Sequence, residues 1–129
     1  MDNLEKSELV IAKILETQMQ KGIQYGLVDF SAVIADESLE PFVAECFFWL
    51  ESEGIVRARD TLETDGNFAA ISPVLTSYGF SVLGKKMEFS DDVDNVAAAV
   101  ANVSTGHSAY AKAGNFSGGL LAAFIKSMS

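Results

Sequence analysis

Trp49-Leu50-Glu51-Ser52-Glu53-Gly54-Ile55-Val56 is the stretch on which the reading of the fold turns. Its first half continues a helical pattern, in which Phe42, Val43, Cys46, Trp49 and Leu50 fall on one broad apolar face at 100° per residue. Ser38 is a suitable cap for that helix, and Pro41 is tolerated in the first turn. Gly54 ends the helix, and Ile55-Val56-Arg57-Ala58-Arg59 follows as a strand candidate. Further on, Thr64-Asp65-Gly66-Asn67 reads as a turn, because Asp-Gly favours positive backbone angles. Phe68 to Leu75 is then the returning strand, and Pro73 near its end suggests an edge position. The expected pairing sets Ile55–Arg59 against Phe68–Ser72.

Upstream, Leu4 to Lys21 carries an apolar stripe of Leu4, Ile11, Ile14, Leu15 and Met19, with Asp2 and Glu5 placed as a capping box and Gly22 just past the end. Ile23 to Val28 looks short and extended, and Asp29 can cap a second helix from Phe30 to Ala35. Downstream, Thr76 can cap a short helix from Ser77 to Leu83 that ends at Gly84. The order is helix, short extended piece, helix, turn, helix, hairpin, short helix. This order resembles the winged helix-turn-helix superfamily. The residues that carry the resemblance are Trp49–Val56, similar to its junction of third helix and first wing strand, and Leu75-Thr76-Ser77-Tyr78-Gly79, similar to the Leu-Thr-x-x-Gly that follows its second wing strand. It covers about residues 4–84. The fold class expected is mainly α with a small β-hairpin wing, in a winged-helix domain over 1–89 followed by a helical extension over 90–129.

The resemblance implies DNA binding, with the third helix in the major groove. The residues argue otherwise. The outer face of that helix holds Ala44, Glu45, Phe48, Glu51 and Ser52. Base edges are read by Arg, Lys, Asn or Gln, and phosphates need cations; this face has two carboxylates and neither kind of group. DNA is therefore not expected on the third helix. Arg57 and Arg59 in the first wing strand are the alternative route to nucleic acid, offset by Asp60, Glu63 and Asp65. Phe48 points away from the expected core, so it either packs under the wing or the N-terminal helix or anchors a protein partner. Ala44, Glu45, Phe48, Glu51, Arg57 and Arg59 form the expected interaction face.

Charge sharpens this picture. The chain of 129 residues carries a net charge of −9 and is 49% apolar, which excludes general disorder. Between Asp29 and Gly66 there are ten acids and two bases, whereas the part from Asn95 onward has no acid and two lysines, Lys112 and Lys126. The two parts attract each other over about one Debye length, ~8–10 Å. Cys46 is the single cysteine, a pattern that suits a reducing compartment. The first residues lack a basic region followed by an apolar stretch, and the run Leu120 to Ile125 is far short of the roughly 20 residues a membrane helix needs. A cytoplasmic protein without a membrane span is expected.

No catalytic constellation stands out. His107, the single histidine, lies in Ser104-Thr105-Gly106-His107-Ser108, and such spacing alone is weak evidence for a Ser/His pair. Cys46 sits between core-facing neighbours and reads as a structural thiol. No clustered metal-ligand pattern and no Gly-rich phosphate loop is present, so no cofactor, no metal and no enzymatic activity are expected.

The extension carries a different signal. Ser90 can cap a long helix in which Val93, Val96, Val100 and Val103 are spaced 3, 4, 3, a heptad seam. Gly114 and Asn115 mark a break. Phe116 to Met128 then places Phe116, Leu120, Leu121, Phe124, Ile125 and Met128 on one helical face. Such a face must be covered. Docking on a second copy is the preferred reading, with packing on the same chain left open. The sequence as a whole points to a non-enzymatic, dimeric protein-binding module. The alternative is a transcription regulator that binds DNA through Arg57 and Arg59 of the wing.

Overall fold

The computed structural model describes residues 2–84 together with Ala97, Val100 and Ser104. The element order is α1 (Asn3–Lys21), β1 (Leu27–Asp29), α2 (Phe30–Ile34), α3 (Glu40–Ser52), β2 (Val56–Arg57), β3 (Asp60–Thr64), β4 (Asn67–Ile71), β5 (Val74–Leu75) and α4 (Ser77–Gly84). Helices combined with small antiparallel sheets are compatible with a winged-helix layout. The fold is nonetheless more mixed than "mainly α": β1 joins the hairpin to make a three-stranded sheet in the order β1-β4-β3, and β2 pairs with β5 beside it.

Local chemistry explains most helix ends. Asp2 and Glu5 form the expected capping box on α1, with the Glu5 N–H donating to Asp2 Oδ1 at 2.8 Å. Asp29 caps α2 by accepting from the Ala32 N–H at 3.1 Å. Ser38 does not cap α3, contrary to its sequence reading. Its hydroxyl and N–H both turn back to Asp36, and Leu39 takes the cap position without a side-chain bond. At the other end of α3, the Ile55 N–H donates to the Leu50 carbonyl and the Gly54 N–H to that of Glu51. With Gly54 at φ +78, this is a Schellman ending, which favours glycine at that point.

The hairpin is longer than its sequence reading. The residues paired with β4 are Asp60–Thr64, not Ile55–Arg59; Val56 and Arg57 pair instead with Leu75 and Val74. The register is the same on both sides of the interruption at Ala58-Arg59 and Ser72-Pro73, so one ribbon runs from Val56 to Leu75 with a local break. Pro73 has no N–H to donate, and Ser72, at φ +49, turns its N–H to the Gly26 carbonyl. The ribbon turns at Asp65 and Gly66, both at positive φ (+47 and +82), as a two-residue type I′ connection requires.

The core is assembled where α1, α2 and α3 meet the sheet. Phe30, Phe47 and Phe68 are buried against one another, with ring centroids 5.3–6.2 Å apart. Val10, Ile11, Ile14 and Leu15 of α1 and Val43 and Leu50 of α3 complete it. Leu4, expected in the stripe of α1, is exposed. Ser31 links the layers: its hydroxyl donates to Glu40 Oε1 at 2.9 Å and accepts from the Phe68 N–H at 2.7 Å.

The junction motifs that carried the resemblance lock together. Thr76 caps α4 by accepting from the Gly79 N–H at 2.9 Å, while its own N–H donates to the Ile55 carbonyl and its hydroxyl contacts the Gly54 and Ile55 carbonyls. Leu75 is buried. A Cβ on Gly79 would lie 2.2 Å from the Ile55 carbonyl oxygen, so only glycine fits.

Val100 is fully buried in this same core, with Ala97 packed against it. Lys13 Nζ donates to the Ser104 carbonyl at 3.2 Å. These three helical positions, spaced 3 and 4, dock on their own chain. Val100 is thus taken up in cis, contrary to its expected place in a seam between copies. Val93, Val96, Val103, Phe116, Leu120, Leu121, Phe124 and Ile125 lie outside the described residues, as do His107 and Ser108. No helix among the described residues is long and apolar enough to cross a membrane.

Candidate interaction surfaces

The outer face of α3 meets the tip of the β3–β4 hairpin across a groove of about 510 Å³. Glu40, Pro41, Ala44 and Glu45 line it from α3, and Glu63, Thr64 and Asp65 from the hairpin. Strand geometry and the type I′ turn carry the hairpin acids to the groove; Glu45, Glu63 and Asp65 are exposed. A neighbouring cleft of about 400 Å³ shares Glu40 and Asp65 and adds Asp29, Asp36 and Glu37. No base lines either among the described residues. The Ser38 hydroxyl, and then its N–H, hydrogen-bond Asp36 and hold its carboxyl below the usual range, with smaller help from Lys13 and Lys6. The face thus gathers acidic side chains with no base among the described lining residues.

Phe48 is half-buried and stands edge-on to Phe68, with centroids 5.5 Å apart. Of its two sequence readings, packing under the hairpin is the one observed. Phe47, which helical phase alone did not place in the core, is its largest contribution from α3. Glu51 is half-buried and lies outside the groove lining.

Arg57 and Arg59 do not share this face with Ala44 and Glu45. Both are exposed, on the same side of an extended segment, and they line a separate cleft of about 430 Å³ with Ile23, Gln24, Tyr25 and Ser72. The Arg59 guanidinium carbon lies 5.9 Å from the centre of the Tyr25 ring, within cation–π range. Neither arginine is ion-paired among the described residues. Ile23 and Tyr25 are 77% and 81% exposed, and Leu27 is 61% exposed. Sequence reasoning passed over these three. Their signal was apolar residues at every second position of the extended stretch Ile23 to Val28.

Cys46 is buried, and its thiol donates to the Ser7 carbonyl. Burial pushes its pKa from the ordinary 9.0 up to about 11, which keeps it a neutral thiol at physiological pH. Ser104, one candidate nucleophile, is buried as well. Among the described residues no group of three or more His, Cys, Asp or Glu could hold a metal ion.

Comparison with protein-family models, with curated proteins and with solved structures returned no match.

Proposed function

We propose that the chain is a non-enzymatic, winged-helix-type module whose groove between α3 and the hairpin binds a basic segment of a partner protein. One observation carries this reading: the surface that a DNA-binding winged helix would turn to phosphates is lined here by Glu40, Glu45, Glu63 and Asp65, with no cation among the described lining residues. Most of the affinity of a protein for duplex DNA comes from cations that replace condensed counterions. A groove of carboxylates repels the phosphate backbone and attracts lysine and arginine side chains. The homodimer stays within the proposal on a narrower basis. Val100 belongs to the chain's own core, so the apolar sequence stripe from Phe116 to Ile125 carries it.

The second reading, a regulator that holds DNA through Arg57 and Arg59, is favoured by the convergence of both arginines on one cleft. Fluorescence anisotropy separates the two. A labelled Lys/Arg-rich peptide should bind in a salt-sensitive manner and lose affinity on Glu45→Lys or Glu63→Lys. Generic duplex DNA at low salt should bind no more tightly than roughly 10⁻⁴ M, the weak limit for non-specific DNA binders. Micromolar binding of duplex DNA, abolished by Arg57→Ala or Arg59→Ala, would reverse the order of the two readings.

A further inference from the structure

From Gly22 to Gly84 the chain has two bases, Arg57 and Arg59, amid ten acids. Both line the same cleft, both are exposed, and neither meets a carboxylate among the described residues. In a chain this acidic, an arginine pair with no carboxylate partner among the described residues is an attractive site for an anion from outside. The opposite wall of the cleft is apolar. Ile23 and Tyr25 are among the most exposed large side chains described, and Leu27 continues the same alternation two residues on. The Arg59 guanidinium already rests near the Tyr25 ring, which limits the orientations it must give up on pairing with a carboxylate. Gln24 and Ser72 add polar groups at the same cleft.

We propose that this cleft is a second interaction site, separate from the α3–hairpin groove, and that it takes a short acidic segment of a partner protein in which carboxylates alternate with apolar side chains. Charge complementarity selects the acids, because the two cations of this region stand together here. The exposed wall selects the apolar residues, because Ile23 and Tyr25 in the cleft, with Leu27 exposed next to it, present apolar surface that an acid-only segment would leave wet. Nucleic acid fits less well. Two arginines neutralise about two phosphates, whereas DNA binders of substantial affinity contact roughly 6–10.

The test is fluorescence anisotropy of the full chain with a labelled peptide of alternating Glu and Leu. A Glu-Ser peptide of equal charge and a twelve-nucleotide single strand serve as the other probes. The Glu-Leu peptide should bind at least tenfold more tightly than either, and added salt should weaken it. Arg57→Ala and Arg59→Ala should each reduce its affinity about tenfold, the usual effect of losing one charge-assisted contact. Tyr25→Ala should reduce it by several-fold. Glu63→Gln, in the other groove, should leave it unchanged. All three cleft side chains are exposed, so the variants should fold, and circular dichroism checks this. Three results would overturn the proposal: no arginine-dependent binding up to millimolar peptide, tighter binding of the single strand, or self-association of the full chain that Arg57→Ala abolishes, which would make a second copy the occupant. Failure here leaves the basic-peptide reading standing, since that reading is tested with a different probe and different variants.

Discussion

Gly79→Ala places a methyl group on the first turn of α4, where helix propensity alone would reward it by about 1 kcal/mol. The packing opposes this. The added Cβ would lie 2.2 Å from the Ile55 carbonyl oxygen and 3.1 Å from its carbon, and both are backbone atoms that cannot swing aside. Restoring ordinary contact requires α4 to retreat by roughly 1 Å, a shift of the kind that overpacking imposes at about 1–3 kcal/mol. That retreat pulls on the Thr76 N–H bond to the Ile55 carbonyl and on the cap bond from the Gly79 N–H to Thr76, worth about 1 kcal/mol each. It also loosens Val82 and Leu83, which are buried. After the propensity gain, a net loss of about 2–3 kcal/mol is expected. Urea unfolding followed by circular dichroism should show a midpoint lower by about 1–2 M with an unchanged slope. Gly84→Ala is the internal control: it lies in the same helix with no described residue within 4 Å of the new Cβ, so it should be neutral or slightly stabilising. A Gly79→Ala protein as stable as the Gly84→Ala protein would refute the close approach of α4 to Ile55.

Thr76→Val keeps the shape of the side chain but removes the cap and its contacts to the Gly54 and Ile55 carbonyls, and should cost about 1–2 kcal/mol in the same assay; Thr76→Ser should recover most of it. Cys46 has a folded-state pKa raised to about 11, so the folded chain keeps a proton that the unfolded chain releases near 9.0. Its contribution to stability is therefore complete below pH 9 and declines as pH rises toward 11, a dependence that Cys46→Ala should reduce; alkylation of the native thiol at pH 8 should be much slower than in urea. Sedimentation of the full chain at micromolar concentration should give a dimer that Phe124→Asp dissociates, and a monomer at every concentration would remove the dimer from the proposal.

What the sequence by itself determined were features written in neighbouring residues. The capping box of Asp2 and Glu5, the Asp29 cap, the end of α3 at Gly54 and the Asp65-Gly66 turn depend on side chains within a few positions of one another, so their chemistry is local and legible. The acidity of the outer face of α3 was legible for the same reason. Two further features were local but misread, and tertiary structure decided the rest, because it depends on which distant segments meet. Ser38 is drawn instead to Asp36, two residues back, whose carboxylate accepts from its hydroxyl and its N–H. The pairing of β3 with β4 was set by the turn, which counts residues outward from Asp65-Gly66 and carries the strand past Arg59 to Asp60–Thr64. Helical phase could not say that Phe47 would be enclosed by Phe30 and Phe68, since those rings come from other elements. Nor could it say that Val100 would be spent on the chain's own core. The separation of Arg57 and Arg59 from Glu45 is likewise a fact of three dimensions. Residues 23–25 and 57–59 are more than thirty positions apart in the chain, and only folding brings Tyr25 beneath Arg59.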